Sequence, residues 1–327
     1  MAGTTKKTRG AVIGAGGMSC AYHIPSLKDL ETEGLVEVAA LCDINARRLE
    51  EAASKFSIPQ RFTDYRQMLE EVQPEAVYIF MPPHMMFDLV MDVLEQGRHL
   101  CIEKPPGVST EQAESMALIA AQHDCLTMVT FQRRHMPLIL EARRRVQERG
   151  PITQFMIEFM KNALDAPMPP YRGSADYLRM DVIHMVDLAR FLGGEVAVLK
   201  SDVRRLWKEQ TNVYNAFMRF ENGCVGLLWS NYTAGTRVFK VEMHGRGISA
   251  YVEPEERVVF YCNNQPEGET IEAIAAAGSD APHRYLGFLQ EHRHFLECIA
   301  RGEQPTSNFA DAAKSMALAE QIIHSPL

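Results

Sequence analysis

Paired cysteines, long apolar runs and basic blocks are all missing from this chain. Seven cysteines are present, but Cys20, Cys42, Cys101, Cys125, Cys224, Cys262 and Cys298 are scattered and never spaced C-x-x-C. An odd, dispersed set argues against a disulfide framework and for buried free thiols in a reducing, cytoplasmic setting. No apolar run reaches the roughly 20 residues of a membrane-spanning helix. The run after the basic "MAGTTKKTRG" breaks at Gly14, too early for a signal-peptide core. The formal net charge is -8, from 34 Lys and Arg against 42 Asp and Glu. An acidic chain without a basic block is a poor partner for nucleic acid or an anionic membrane. The nearest basic runs are Arg133-Arg134 and Arg143–Arg145, and the second reads as the solvated face of a helix. No H-E-x-x-H occurs, and His292 and His294 stand two apart on a predicted helix, so no metal site is expected. There is no G-x-S-x-G for a serine hydrolase, and no internal repeat.

What is present is enough apolar material, 46% of 327 residues, for one large domain or two ordinary ones. The first 130 residues alternate. Apolar "AVIG", "VEVAALCD", "AVYIFM", "HLCIEKP" and "LTMVTF" read as strands, separated by helical stretches at Met18–Leu30, Ala46–Phe56, Met86–Gln96 and Thr110–His123. Short apolar runs joined by helices predict a doubly wound parallel sheet, which binds ligands at the carboxyl ends of its strands. After about residue 150 the strands crowd together: "PITQFMIEFM", "VAVLKSDVRRL", "VYNAFMRF", "CVGLLWSNY", "VFKVEMHG" and "RVVFYC". They predict a mainly antiparallel sheet packed on a helix at Val182–Leu192, with closing helices at Gly287–Ala300 and Ala310–Gln321. The expected division is residues 1–132, a dinucleotide-binding domain, and 133–327, a domain for substrate and oligomerisation. The fold class is α/β.

The stretch "GAGGMS" follows the first strand and precedes a helix. Glycines there let backbone N–H groups approach a pyrophosphate at a helix N-terminus. Gly14 and Gly16 fit the first two positions, and Ser19 is a small substitute at the third. Asp43 ends the second strand, placed to bond the adenosine ribose. It can equally be the N-cap of the helix in "INARRLEE". A carboxylate at Asp43 repels a 2′-phosphate and favours NAD; Arg47 and Arg48 keep NADP open. In "CIEKPPG", Glu103 and Lys104 sit at the carboxyl end of a buried strand, where charged residues face the ligand crevice. A lysine there can polarise a carbonyl or donate a proton. A strand-end ion pair is the plainer alternative.

The stretches "GAGGMSCAYHIPSL", "CDIN", "FMPPHMM", "GRHLCIEKPPGVSTEQAESM" and "FQRRHMP" resemble the Gfo/Idh/MocA oxidoreductases. So do "DVIHMVDLARFLGG" and "FLECIARGEQPTSNFADAAKSMALAEQI", so the likeness spans nearly the whole chain. It implies an N-terminal Rossmann domain, a C-terminal α/β domain with an open antiparallel sheet, and hydride transfer between NAD(P) and a sugar, cyclitol or related polyol. Carried over, the cofactor set is Gly14, Gly16, Gly17, Met18, Asp43, Arg47, Met81, Pro82 and Glu103. The catalytic set is Lys104, His184 and Asp181. Substrate contacts are Arg134, favoured over Arg133, with Tyr171, Arg172 and Tyr177 from the proline-rich loop "LDAPMPPYRGSADY".

Departures accompany the likeness. The family's usual Asp four residues before the histidine is Met180 here, with Asp181 one place later. "SADYLRM" replaces a glycine-rich approach, and Met86, with His84 nearby, replaces a usual histidine. Two other readings therefore stay open: glycosidic cleavage by transient oxidation, and a non-catalytic NAD(P)-binding sensor. The likeness also implies a homodimer or homotetramer through the open sheet face, on which Val225, Leu227 and Trp229 alternate.

Overall fold

The computed structural model describes residues 7–166 and 173–325. By internal contacts the chain forms two units. One is Met1–Thr130 with Pro282–Arg284 and Phe288–Ala313; the other is Phe131–Ala281 with Tyr285–Gly287 and Lys314–Leu327.

The first unit begins with β1 (Thr8–Ile13), whose last four residues are fully covered. There follow α1 (Ile24–Thr32), β2 (Val36–Cys42), α2 (Ala46–Lys55), β3 (Gln60–Phe62), α3 (Tyr65–Val72), β4 (Ala76–Ile79), α4 (Phe87–Glu95), β5 (His99–Ile102), α5 (Thr110–Gln122) and β6 (Thr127–Val129). The strands order β3-β2-β1-β4-β5-β6, and every pairing is parallel. Near-continuous apolar strands such as "AVYI" are what a sheet covered on both faces requires. The order reverses at β1, which pairs with β2 on one side and β4 on the other. Ligands bind at such a switch point.

β3 and α3 were not legible as elements. The strand is only three residues long. The helix is set by a local device: Asp64 accepts a hydrogen bond from the Arg66 N–H at 2.8 Å as its N-cap.

The second unit contains α6 (Pro137–Glu148), β7 (Gln154–Asn162), α7 (Ile183–Gly193), β8 (Val196–Arg204), β9 (Val213–Phe220), β10 (Val225–Asn231), β11 (Thr233–Gly245), β12 (Ile248–Glu253), β13 (Arg257–Cys262) and β14 (Glu269–Glu272). Its sheet orders β14-β13-β12-β11-β7-β10-β9-β8. Only β7 and β10 pair in parallel; the rest are antiparallel, as the crowded strands predicted. Helices α6 and α7 pack on this sheet. The chain then runs through α8 (Ala273–Ala277), α9 (Pro282–Tyr285), α10 (Phe288–Arg301) and α11 (Phe309–His324). α10 packs on α1, and its Leu289, Phe295 and Leu296 join the core of Leu27, Leu30 and Tyr78. A boundary drawn on sequence order cannot assign this helix.

Candidate active site

In the first unit the site is built at the end of β1. Gly14 has φ +104°, and a Cβ there would lie 2.3 Å from the Phe80 carbonyl oxygen. Only glycine allows β1 to leave the sheet this close to β4. By contrast, a Cβ at Gly16 or Gly17 would meet nothing within 4 Å. Open space beside two consecutive glycines, ahead of a helix start, is the room a pyrophosphate needs. Behind the turn Ser19–His23 is a π-helical turn leading into α1, a local widening common at functional sites. The Ser19 hydroxyl is buried, with no hydrogen-bond partner among the described residues.

Asp43 is 8% exposed. Its Oδ2 accepts the Ala15 N–H at 2.8 Å, and its Oδ1 accepts the Asn45 N–H at 2.8 Å. Arg48 approaches the same Oδ1 at 3.4 Å, while Arg47 is largely exposed. The N-cap of α2 is Asn45, which accepts from the Arg48 N–H at 3.0 Å. Asp43 is therefore not the cap. It ties the glycine turn to the end of β2, where a dinucleotide's adenosine ribose would sit. Met18 is 47% exposed beside the turn. Met81 and Pro82 follow β4, on the other side of the switch point. These residues fit a dinucleotide: a glycine turn with open space beside it, a strand-end carboxylate and an uncommitted buried hydroxyl.

Glu103 and Lys104 follow β5. Glu103 Oε1 accepts from His23 Nε2 at 2.7 Å, and its Oε2 accepts the Lys104 N–H at 3.0 Å. The Lys104–Pro105 peptide bond is cis. Burial pushes Glu103 upward, but His23 and Lys104 outweigh it and hold the carboxyl below its usual range. His23 stacks on Phe80 with ring centroids 3.9 Å apart, and its Nδ1 lies 2.9 Å from His292 Nε2. His23, Glu291 and His292 bring one ligand atom each within 4.8 Å of one another. The ring-to-ring separation is that of a hydrogen bond. Sequence reasoning missed this group, because His23 and His292 lie 269 residues apart. Glu103, read from sequence as a cofactor contact, here anchors the backbone of Lys104.

In the second unit His184 lies on α7, 5% exposed, with the Phe131 ring edge-on to it at 6.1 Å. Ahead of it Leu178–Val182 forms a second π-helical turn. This turn carries Asp181, whose Oδ2 is held by Lys161 Nζ and accepts from the Tyr232 hydroxyl at 2.7 Å. Burial and Asp181 together push the Tyr232 phenol well above its ordinary pKa, so it stays a donor. Tyr177 is 4% exposed and stacks on Tyr232 at 4.6 Å. Tyr171 and Arg172 lie outside the described residues. Lys161 and Tyr232 were not singled out from sequence. A signal for Lys161 existed: Phe155, Ile157 and Phe159 alternate inward along β7, and Lys161 continues that inward register.

Arg134 is placed otherwise than expected. It is 3% exposed and forks onto Asp187 on α7, Nε at 2.6 Å and Nη2 at 2.5 Å. Ser315 on α11 donates to the same carboxylate at 3.0 Å. A buried bidentate pair of this kind fixes helices to one another. The neighbouring Arg133 takes no part in it.

Residues 8–131 match the profile of the Gfo/Idh/MocA group, described as the oxidoreductase family with an NAD-binding Rossmann fold. D-apiose dehydrogenase of Paraburkholderia graminis is 24% identical, over 97% of this chain and 87% of that protein. scyllo-Inositol 2-dehydrogenase (NAD(+)) of Bacillus subtilis is also 24% identical, over 94% of this chain and 90% of that protein. The solved structure of levoglucosan dehydrogenase in complex with NADH and levoglucosan superposes with a TM-score of 0.85 at 19% identity, covering 98% of this chain and 97% of that one. Residues 8–131 thus carry an NAD-binding Rossmann fold of an oxidoreductase family, and the curated relatives are dehydrogenases. The likeness to the Gfo/Idh/MocA oxidoreductase family lies in residues 8–131, the NAD-binding part of the chain.

Proposed function

We propose that this chain is a dehydrogenase of a sugar, cyclitol or related polyol hydroxyl, with Lys104 and His184 handling charge and proton. The observation that carries the reading is the pairing, within one sheet, of the Gly14–Gly17 cradle with a lysine fixed at the end of β5 by the Glu103 carboxylate. Bound NAD supplies the hydride acceptor. His184 accepts the proton of the reacting hydroxyl, the general-base task to which an imidazole is suited. Lys104 sets its charge against the alkoxide that develops as the proton leaves. Asp181, oriented by Lys161 and Tyr232, accepts from a second substrate hydroxyl. The named activities of the relatives, on apiose and on inositol, support a polyol substrate. A reducing, cytoplasmic setting fits the seven free cysteines; burial pushes Cys42 up to about 12, which keeps it an unreactive thiol.

The test is a fluorescence titration with NADH and NADPH, then a sugar and cyclitol panel read at the nicotinamide absorbance. NADH is expected to bind more tightly, because Asp43 opposes a 2′-phosphate. Lys104→Ala and His184→Ala are each expected to lower turnover about a hundred- to ten-thousandfold while NADH binding is retained. Unchanged turnover in either variant removes that residue from the mechanism. NADH binding with no turnover on any polyol moves the reading to a sensor, and hydrolysis without net NADH moves it to glycosidic cleavage.

A further inference from the structure

Arg133 is a buried cation whose donors make no hydrogen bond among the described residues. The residue is 7% exposed, and its central carbon lies 4.2 Å from the Phe239 ring centroid and 5.3 Å from that of Phe159. A guanidinium donates only in its own plane, so rings packed against it cannot satisfy its N–H groups. Its Nε is buried with no hydrogen-bond partner among the described residues. The nearest carboxylate oxygen, Glu255 Oε1, is 3.9 Å from Nη1, beyond hydrogen-bond reach. Burial pulls its pKa down to about 10, against the opposing charges of Asp181 and Glu255. It is still a cation at neutral pH.

The charges around it pair off without it. Asp181 holds Lys161 and the Tyr232 hydroxyl. Glu255 is forked by Arg237, with Nη1 at 2.6 Å. Among the described residues three cations, Arg133, Lys161 and Arg237, thus share two carboxylates, and Arg133 has only the long 3.9 Å approach to Glu255. The cluster adjoins His184 by two routes. Asp181 precedes His184 by three residues, and Phe131, in ring contact with His184, precedes Arg133 by two. Two residues of chain reach at most about 7 Å.

We propose that Arg133 is a carboxylate subsite, and that the substrate is a sugar acid of the aldonate or uronate class. This rests on the dehydrogenase reading above and narrows its substrate. A carboxylate brings one negative charge and two coplanar acceptors, which match one surplus charge and an in-plane donor edge. A phosphate brings ≈ −1.5 to −2 charges to a place already lined by Asp181 and Glu255. A neutral hydroxyl leaves a desolvated cation uncompensated.

The experiment compares kcat/KM of the NAD-loaded enzyme for D-gluconate and D-glucuronate with D-glucose and myo-inositol. The same compounds are titrated calorimetrically into the NADH-saturated protein. The acids are expected to lead their neutral counterparts by roughly ten- to hundredfold, mainly in KM. Arg133→Met is expected to remove that lead, raising KM for the acids at least tenfold more than KM for the neutral polyols. Arg133→Lys, which keeps the charge and loses the fork, is expected to fall between. Equal loss on acids and neutrals in a folded Arg133→Met, or a wild-type preference for neutral polyols, overturns the subsite and spares the dehydrogenase reading. Acid binding without turnover does the reverse. Neither binding nor turnover of the acids overturns the subsite.

Discussion

Gly14 carries two burdens in one residue, a positive φ and a backbone approach that no side chain tolerates. Gly14→Ala places a methyl 2.3 Å from the Phe80 carbonyl, and either β1 or β4 must move. The cost is that of overpacking plus a strained φ, about 2–4 kcal/mol. The expected outcome is a lowered unfolding midpoint and at least a tenfold weaker NADH affinity. Gly16→Ala, with no atom near its new Cβ, is expected to spare stability and weaken only NADH. Equal losses of stability in the two variants would show that the turn has no special close approach. The contrast also marks what one residue's identity reveals. Gly14, Asp43 and Lys104 are legible because a backbone conformation or a strand end sets them apart. Arg134 was favoured over Arg133 as a substrate contact, and nothing local in the sequence distinguishes the two. Only the packing of α7 decides which guanidinium meets Asp187.

Elements add what single residues cannot. The alternation of strand and helix made the parallel sheet legible, and the crowding of later strands made the mixed sheet legible. β3 was not, being only three residues long, nor α3, set by a local cap; β12, as long as β1 and β13, was missed as well. The group that α10 delivers to the first unit was invisible for a different reason: its partners are remote in sequence. Within it Glu291 is fully buried with no hydrogen bond to either oxygen among the described residues. Burial first, and the Glu103 charge second, push its carboxyl well above the ordinary 4.5. The fold therefore favours its neutral form, and unfolding makes it easier to ionise. Its contribution to stability is complete below pH 4.5 and is lost as pH rises from there through its raised folded value. The slope is about 1.4 kcal/mol per pH unit. Glu291→Gln keeps the neutral form at every pH. Denaturant melts at pH 4, 6 and 8 are expected to show the variant equal to the parent at pH 4 and progressively more stable above it. A variant less stable by a constant amount would mean that Glu291 is ionised in the fold. Glu103 works in the opposite sense: its lowered carboxyl contributes above its unfolded value and is lost as pH falls through the folded one.

At the scale of the whole molecule, the second sheet leaves one face uncovered. Phe217, Trp229, Tyr251 and Tyr261 are each 40–42% exposed. Register places Phe217 opposite Leu227 on adjacent strands, and Tyr251 opposite Val259. On β10 the partly exposed Val225, Leu227 and Trp229 alternate with buried Gly226, Leu228 and Ser230, as the sequence pattern anticipated. Aromatic side chains repeated across one sheet face are more apolar surface than an isolated chain normally leaves in water. A second copy offering the same face would cover them by a two-fold contact, in which each residue would meet its own counterpart's neighbours. Light scattering on the purified protein is expected to give a dimer or tetramer mass. Trp229→Lys, which adds like charges at a self-complementary centre, is expected to shift it toward monomer with a lower melting temperature. Because Trp229 points away from the face that packs α7, NADH affinity in the same variant is expected to stay within a few-fold of the parent. A wild-type monomer at micromolar concentration would refute the interface. A dimer unaffected by Trp229→Lys would place the contact on another surface.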